Sequence, residues 1–275
     1  IENQVVSLEL AKRLKELGVD GCYDRFDSAE DRNTSFEEMV RQAARTHRKN
    51  LRDRCRQGQR HSVKDAEIKM VDTLVHHGFI ECLTPIIIKK EGVYRMGITE
   101  EHPLWKQIFW LNANECLRPM LAPNLYCIMR YLEKQIATPI RLFEVGPCFR
   151  KESQGCMHLE EFTMINAVEI DPGCDRQERI SELVRLMMEP FDVEYSLTTE
   201  SSDVYGETID VLVNGTEVAS ASYGPHKLDR DNGVVMPWTG VGMGLERLVQ
   251  QINGESNIKR VGRSLVYLDG VRLDI

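Results

Sequence analysis

Helical spacing of apolar residues, three or four positions apart, marks several stretches of the chain. Residues that can cap or end a helix bound the first two stretches, Ser7 to Gly18 and Ser35 to Gly58. The third begins at Ser62, the fourth begins near Pro123, and the fifth spans residues 175–190. Their apolar faces are, in turn, Ile68, Val71, Leu74 and Val75; Leu121, Leu125, Met129, Leu132 and Ile136; and Ile180, Leu183, Val184 and Met187. The pattern predicts amphipathic helices that pack on a core.

Short apolar runs bounded by turn residues predict the strands. Phe79–Leu83 leads into Pro85, and a residue without a backbone N–H suits the end of a strand. Gln107–Leu111 and Glu115–Leu117 flank an Asn-Ala-Asn sequence and predict a hairpin.

The strongest hairpin signal is Asn214-Gly215, which separates the β-rich runs Thr208–Val213 and Thr216–Ser222. A central hairpin is predicted from Leu142–Val145 and Phe162–Val168, joined by a charged loop. Strands connected by tight hairpins and flanked by helices predict an α+β fold with a central, largely antiparallel sheet.

One face of the central hairpin is suited to binding a ligand. Because side chains alternate along a strand, Phe162, Met164, Asn166 and Val168 share a face. An aromatic residue at one end and an amide further along can hold a flat ring and a polar group. An ordinary hairpin with a solvated turn is the alternative for this stretch alone.

The overall composition restricts the class of protein. With 42% hydrophobic and 28% charged residues, the 275-residue chain can bury a sizeable core and is not disordered. No apolar run approaches the roughly 20 residues of a membrane span. The eight cysteines form no CxxC pair or zinc spacing, which predicts reduced, mostly buried thiols in a cytoplasmic protein.

Charge is unevenly distributed. The net charge is −8, yet residues 41–64 hold nine cationic side chains and one acidic one, Asp53. This asymmetry favours a phosphate-binding arm over a solvated helix face, and nucleic acid as its partner. We therefore predict a small, basic, helical appendage over residues 1–60 that contacts nucleic acid, and a main domain over residues 61–275.

The glycine-rich segment GVGMG at 240–244 is not a dinucleotide fingerprint, because it reads GxGxG and no βαβ unit follows. A GxxxxGK[ST] phosphate loop is absent from the sequence as well. Small residues at Gly240 and Gly242 allow a ligand to lie close to that strand. Arg247 in the following helix and Arg150 in the central loop offer permanent cations for phosphate.

Three segments in order resemble the motifs of class II aminoacyl-tRNA synthetases: the helix and strand that end at Pro85, the FRKE hairpin, and GVGMGLERL. Within that class, LRPMLAPNLY, CFRKES, HLEEFTMIN, VYGETIDV and PWTGVGMGLERL resemble the pyrrolysyl-tRNA synthetase family. The resemblance covers roughly residues 60–275, and the short basic start is similar to members that lack a fused N-terminal tRNA-binding domain.

The resemblance implies a nucleotide site. Arg150 would hold the α-phosphate of ATP and Arg247 the γ-phosphate, as the catalytic residues, with adenine between Phe162 and Arg247. Glu152, His158 and Leu159 would complete the ATP site, and Glu217 and Ser220 would hold Mg²⁺. Residues three apart on a regular strand face opposite sides, so this pair requires a bulge or twist.

The resemblance also implies an amino-acid pocket, in which Asn166 would hydrogen-bond the side-chain amide carbonyl of pyrrolysine and Tyr205 would be a mobile lid. The pocket walls would be Leu121, Ala122, Leu125, Tyr126, Met129, Val168, Ser222, Trp238 and Gly240. Tyr223 stands where related sequences carry a small residue, which bears on the size of the pocket near Ser222.

The implied activity is ATP-dependent ligation of pyrrolysine to its amber-suppressor tRNA through an aminoacyl-adenylate, by a homodimer in protein biosynthesis. Two alternatives stay open from the residues. One is a class II synthetase for another amino acid, such as phenylalanine or phosphoserine. The other is a non-catalytic paralogue that binds tRNA or a regulator.

Overall fold

One seven-stranded sheet organises the part of the chain that the computed structural model describes, which is residues 10, 11, 14, 17, 19, 26, 28–151, 155 and 157–274. The strands are β1 (Ile80–Cys82), β2 (Ile87–Lys89), β3 (Glu115–Leu117), β4 (Ile140–Phe149), β5 (Glu161–Ile170), β6 (Ser196–Ser202), β7 (Gly206–Val213), β8 (Thr216–Tyr223), β9 (Trp238–Gly244), β10 (Tyr267–Leu268) and β11 (Val271–Arg272). The main sheet has the order β1-β4-β5-β9-β8-β7-β6. Its pairings are antiparallel except β1 with β4, which confirms the predicted α+β fold with a largely antiparallel sheet.

Helices cover both faces of this sheet. They are α1 (Ala29–Gln57), α2 (Ser62–His76), α3 (Lys90–Arg95), α4 (Ala122–Leu132), α5 (Arg176–Met188), α6 (Lys227–Asn232) and α7 (Leu245–Ile252), with 3₁₀ turns at Pro103–Gln107 and Ile258–Arg260. One core contains α2, α5 and α7, and a second core on the opposite face contains α3, α4 and α6. The second core borders the candidate site.

Two predicted hairpins form as expected. Asn214 and Gly215 both adopt positive φ, 51° and 73°, and this local geometry turns β7 into β8. The central hairpin of β4 and β5 extends beyond the predicted strands, because β5 is also paired along its length with β9 and β4 with β1.

The predicted start of the long basic helix is wrong, whereas its end is right. Ser28, not Ser35, caps α1, because the Ser28 side chain accepts from the backbone N–H of Asp31 at 3.1 Å. Gly58 adopts the left-handed conformation (φ 63°) that ends the helix. The earlier helix predicted from Ser7 to Gly18 has both boundary residues outside the described part of the chain.

Helix α2 begins at Ser62 as predicted, and it buries the predicted face only in part: Leu74 is buried and Val71 packs against the core. Val63, Ala66, Met70 and Leu74 are buried, whereas Ile68 and Val75 are 39% and 52% exposed. The helix carries apolar residues on two sides, and the sheet covers only one of them.

The hairpin predicted around Asn112 forms in part. The backbone N–H of Leu117 donates to the Phe109 carbonyl at 3.0 Å, that of Leu111 donates to the Glu115 carbonyl at 2.9 Å, and a bridge joins Trp110 to Cys116. The second predicted strand is β3, which also pairs with β2. Gln107, where the first predicted strand begins, instead ends the 3₁₀ turn Pro103–Gln107.

The basic helix α1 is joined to the C-terminal hairpin of β10 and β11. Arg54 donates through Nη1 to Asp269 Oδ2 at 2.8 Å and through Nη2 to the Asp269 carbonyl at 2.9 Å.

The cysteines that the structure describes are free thiols, as predicted. They are residues 55, 82, 116, 127, 148 and 174, of which only Cys116 and Cys148 are buried. Among the residues described, none of the helices combines the length and the apolar character that a membrane crossing requires.

Candidate functional site

A cavity of about 460 Å³ lies on the face of the sheet formed by β5, β8 and β9. Helix α4, the 3₁₀ turn near Gln107, the loop at 157–159, the β6–β7 hairpin tip and the start of α7 form its walls. Most of the sequence-predicted site residues face this single space. Arg150 and Arg247, which are 97 positions apart in sequence, both line it.

The floor follows the strand alternation that the sequence predicted. Phe162, Met164, Asn166 and Val168 all line the cavity, whereas Ile165 and Ala167 between them belong to the opposite core. Their neighbours on β9 are glycines: Gly244 is paired with Met164, Gly242 with Asn166 and Gly240 with Val168. A Cβ on Gly242 would lie 3.0 Å from Asn166 Oδ1, a tight contact that the glycine avoids.

The bulge that the sequence required between Glu217 and Ser220 is confirmed. On β7, Val211 is paired with Ala219 while Leu212 is paired with Glu217, so Val218 is an extra residue on β8. Glu217 and Ser220 therefore both line the cavity despite being three positions apart. Ser222 does so too, whereas Tyr223 packs with the opposite core, beneath the Arg176 guanidinium.

Arg150 is oriented from two directions. Its Nε donates to the Pro119 carbonyl at 2.9 Å, and its guanidinium lies 5.4 Å from the centre of the Phe162 ring. An aromatic face beneath a cation stabilises it in that position. The side chain is thus held above the end of β5 where the sequence predicted a flat ligand.

Arg247 lies across the cavity mouth, in the first turn of α7. Its Nη1 donates to the Glu217 carbonyl at 3.1 Å and lies 3.5 Å from Glu217 Oε2. Burial raises the pKa of the Glu217 carboxyl above its ordinary value, and the Arg247 guanidinium opposes that rise. The strand β8 and the helix α7 are joined at this point by a carboxylate and a guanidinium.

The loop before β5 closes the same end of the cavity. His158 and Leu159 line it, and the Leu159 side chain packs against Gly262, where a Cβ would lie 2.5 Å from Leu159 Cδ1. Ile258 from the C-terminal segment contributes a further wall that the sequence did not indicate. Glu152 lies outside the described residues.

Helix α4 forms the apolar wall at the other end. Ala122, Leu125, Tyr126 and Met129 line the cavity, together with Trp238 and Gly240 from β9. Leu121 does not line it: the residue precedes the first turn of α4, is fully buried in the core, and leaves its neighbour Met120 to face the cavity.

A buried carboxylate, which sequence reasoning missed, fixes two of these walls. Asp229 Oδ1 accepts from Tyr126 Oη and from Trp238 Nε1, each at 2.9 Å. Asp229 is 5% exposed, and its other oxygen accepts from the His226 backbone at 2.6 Å. Burial raises the pKa of the Tyr126 hydroxyl above its ordinary value, so this group remains a donor. The only local signal was the three-residue spacing of His226 and Asp229, which is that of a capping box.

An amide on the floor and an aromatic ring above it complete this side of the cavity. Asn166 Oδ1 is buried and has no hydrogen-bond partner among the described residues. Tyr205, at the tip of the β6–β7 hairpin, lies with its ring 6.3 Å from that of Trp238 and forms the roof. An amide in an otherwise apolar pocket is suited to a ligand that itself carries an amide.

A buried ion pair beneath the site was also missed. Arg118 and Glu144 are 1% and 0% exposed, with Arg118 Nη1 2.6 Å from Glu144 Oε1. Arg118 Nε also donates to the Pro147 carbonyl at 2.8 Å, and the Arg118 carbonyl accepts from Phe149 N at 3.0 Å. The pair therefore fixes the segment whose next residue, Pro119, orients Arg150.

The basic segment forms a surface of its own, the basic face, on the outer side of α1. It consists of Arg41, Arg45, Arg48, Lys49, Arg52 and Arg56, all exposed, whereas Ala43 and His47 on the opposite side are buried. Arg54 is turned inward to Asp269 and is not part of it. Arg41 is paired with Glu37 at 2.7 Å. Six cations along about four helical turns match a row of phosphates.

A comparison with protein-family models and a comparison with solved structures agree on the class of protein that this chain resembles. The family model described as tRNA synthetases class II core domain (F) matches residues 48–205. The crystal structure of pyrrolysyl-tRNA synthetase from Desulfitobacterium hafniense is 41% identical with a TM-score of 0.91, covering 99% of this chain and 99% of that chain. The structure of Desulfitobacterium hafniense PylSc, a pyrrolysyl tRNA synthetase, is 40% identical with a TM-score of 0.90, covering 99% of this chain and 96% of that chain.

Proposed function

The chain belongs to the pyrrolysyl-tRNA synthetase family of class II aminoacyl-tRNA synthetases, and from this premise we propose that it ligates pyrrolysine to an amber-suppressor tRNA. One observation carries the proposal: two guanidiniums from distant motifs share a cavity with an apolar pocket in which the oxygen of the Asn166 amide has no partner among the described residues. The cytoplasm, where translation takes place, is the proposed location.

ATP would occupy the end of the cavity bounded by Arg150, Arg247 and the loop at 157–159. Arg150 is suited to the α-phosphate because it is anchored through Nε and supported by Phe162. Arg247 can contact the γ-phosphate and can stack on adenine, with Phe162 on the other side. His158 and Leu159 would border the nucleotide, and Glu152 belongs to the same proposed set.

Magnesium fits the residues on β8. Glu217 and Ser220 present oxygen atoms, which a hard cation prefers, and the bulge brings them to one side. Ser220 Oγ donates to Asp210 Oδ1 at 2.7 Å, so its lone pairs can face a cation. When bound, Mg²⁺ would neutralise phosphate charge.

Pyrrolysine would enter the apolar end with its ring against α4 and its amide beside Asn166. The walls there are Ala122, Leu125, Tyr126, Met129, Val168, Ser222, Trp238 and Gly240, and Tyr205 would cover the bound side chain. Leu121 would support this wall from the core. Asn166 Nδ2 would donate to the carbonyl of the substrate's side-chain amide, whereas Oδ1, which has no partner among the described residues, would accept from an N–H of the ligand.

The reaction needs no protein nucleophile. The substrate carboxylate attacks the α-phosphorus, a P–O bond forms, and pyrophosphate leaves with the electron pair of the broken bond. A terminal ribose hydroxyl of the tRNA, the 3′-hydroxyl by family resemblance, then attacks the acyl carbon and AMP leaves. Arg150 and Arg247 contribute by positioning the phosphates and neutralising charge that develops on them.

Two other functions make different predictions. A class II synthetase for a phenylalanine-like residue has no use for Asn166 in an apolar pocket, and a phosphoserine pocket requires cations there. A non-catalytic paralogue has no reason to keep Arg150, Glu217 and Arg247 around one cavity. These observations favour the amide-bearing substrate.

ATP–pyrophosphate exchange over a panel of amino acids tests the proposal. We expect exchange with pyrrolysine and close amide-bearing analogues, and charging of the amber-suppressor tRNA. Exchange with phenylalanine alone would support the other synthetase, and no exchange with any amino acid would support the paralogue.

We infer that the basic face contacts tRNA phosphates. Arg45, Lys49, Arg52 and Arg56 are exposed and form no ion pair with the described residues, so their charge is available to a partner. Replacing Arg45, Arg52 and Arg56 with Gln should lower the slope of log K against log salt by roughly 2–3, at about 0.7–0.9 for each phosphate contact. The matched control replaces Lys134, Arg185 and Lys259, exposed cations outside the basic face. An unchanged slope in the first variant would contradict the inference.

We also infer a homodimer, formed by the apolar residues that α2 and β1 leave uncovered. Ile68, Val75 and Ile80 are exposed there, and Leu83 is 93% exposed. The helix and the strand are in contact, and several exposed apolar residues on neighbouring elements are typical of an interface. Leu83→Glu should yield monomers in sedimentation equilibrium, whereas Leu265→Glu, at an equally exposed leucine elsewhere, should not. A wild-type monomer at micromolar concentration would contradict the inference.

A further inference from the structure

His226 uses both nitrogens of its ring. Nδ1 accepts from the backbone N–H of Leu228 at 3.2 Å and so caps helix α6, while Nε2 lies 2.6 Å from the carbonyl oxygen of Tyr205. A neutral imidazole whose Nδ1 accepts carries its proton on Nε2. Nε2 therefore donates to Tyr205, and one side chain connects α6 with the tip of the β6–β7 hairpin.

The hairpin tip packs on the second core through Val204 and Tyr205, but its backbone has few hydrogen bonds to other elements. The backbone N–H groups of Val204 and Tyr205 donate to Ser202 Oγ at 3.2 and 3.4 Å, which are bonds within the hairpin. Among the described residues, the bond from His226 is the one that ties the backbone of residues 203–205 to another element. The Tyr205 ring also packs on the His226 ring, with centroids 5.5 Å apart.

His226 is itself fixed to the walls of the amino-acid pocket. Its backbone N–H donates to Asp229, the same buried carboxylate that accepts from Tyr126 and Trp238. A rigid support therefore runs from two pocket walls through Asp229 to His226, and from His226 to the roof at Tyr205. None of these contacts involves Arg150 or Arg247.

We propose that His226 is a positioning residue that holds Tyr205 over the amino-acid end of the cavity and so sets how tightly the amino acid is retained. The inference rests on the proposed function of that pocket. A net hydrogen bond in a protein corresponds to roughly a threefold to tenfold change in an equilibrium constant. Loss of the bond should raise the KM for pyrrolysine by about that factor. The KM for ATP should not change, because the nucleotide end is held by other residues.

Two substitutions separate the two roles of the ring. In His226→Asn, the amide oxygen can replace Nδ1 as the helix cap, since Asn is a preferred capping residue, but the side chain is too short to reach the Tyr205 carbonyl. In His226→Gln, the amide nitrogen extends about as far as Nε2 and can restore the donor. His226→Ser is a second variant that keeps a cap and lacks the donor.

The experiment measures amide hydrogen exchange at residues 202–207 by mass spectrometry, and then ATP–pyrophosphate exchange with pyrrolysine. We expect the Asn and Ser variants to exchange about threefold to tenfold faster at this tip, with the KM for pyrrolysine raised alike and the KM for ATP unchanged. The Gln variant should resemble the wild type. Melting temperatures report whether the cap is kept.

Exchange at the tip that is unchanged in both the Asn and the Ser variants would overturn the proposal. So would equal rises in the KM for ATP and for pyrrolysine, because they would indicate a general structural defect. If the wild type itself supports no pyrophosphate exchange with pyrrolysine, the proposed function fails, while the hydrogen-exchange comparison still decides whether His226 holds the tip.

Discussion

A single methyl group on Gly146 provides a sharp test of the buried ion pair. An alanine Cβ at this position in β4 would lie 2.0 Å from Arg118 Nη2. The guanidinium cannot retreat without loss, because Nε is bonded to Pro147 and Nη1 to Glu144. We therefore expect Gly146→Ala to separate the pair.

The sign of the change in the free energy of unfolding distinguishes a broken ion pair from the ordinary effect of replacing Gly with Ala. Replacing Gly with Ala inside a strand ordinarily stabilises a protein by roughly 0.5–1 kcal/mol. Breaking a buried ion pair costs about 3–5 kcal/mol. The net expectation for Gly146→Ala is a loss of roughly 2–4 kcal/mol in the free energy of unfolding, which at an m-value of about 3 kcal/mol per M urea lowers the midpoint by about 1 M.

Equilibrium urea unfolding at a fixed protomer concentration measures this loss. Gly92→Ala in α3 is the matched control, since its Cβ would meet Pro123 Cβ at an ordinary 3.7 Å and should raise the midpoint slightly. In an Arg118→Ala background the extra methyl should cost little, because its collision partner is gone. A Gly146→Ala midpoint at or above the wild-type value, or the same loss in both backgrounds, would refute the reasoning.

Three further predictions concern the cavity. Arg150→Ala should reduce adenylate formation at least about a hundredfold, as loss of one anion-stabilising group does, and near-normal pyrophosphate exchange would contradict its role. Asn166→Ala should lower kcat/KM for pyrrolysine by about tenfold or more while the KM for ATP is kept; equal loss for both substrates would argue against amide recognition. Burial raises the pKa of the Glu246 carboxyl, so the folded state holds its proton more tightly than the unfolded state and wild-type stability falls as pH rises above the ordinary glutamate value. Glu246→Gln removes that titration. The urea midpoint of this variant should therefore rise relative to that of the wild type as the pH increases from about 4.5 to neutrality. A difference between the two midpoints that does not change with pH would contradict this prediction.

What could be predicted from the sequence depended on how local the determining chemistry is. Asn214-Gly215 specifies its turn by itself, and strand alternation was enough to place Phe162 and Asn166 on one face. The buried face of α2 was predicted only in part, because apolar residues on two sides have the same helical spacing and the tertiary structure covers only one of them. Ile68 illustrates this, since it fits the pattern and is exposed.

The missed residues are those whose partners are remote in sequence. Arg118 is 26 positions from Glu144, and Tyr126 is 103 positions from Asp229. No periodicity relates such positions, and a buried charge has no signature in composition. Leu121 was predicted to line the pocket, but Met120 does so instead, for a local reason. The exact first residue of α4 decides which of the two faces the cavity, and sequence patterns define helix boundaries poorly.

The extra residue in β8 has a consequence for engineering. Removing Val218 would restore an uninterrupted ladder with β7, and the hairpin on its own would gain regular pairing. The same deletion would leave Glu217 two positions before Ser220, and side chains two positions apart on a regular strand share a face. A redesign that smooths this strand is therefore compatible with the oxygen pair proposed to hold Mg²⁺, because regular pairing keeps both side chains on the cavity side.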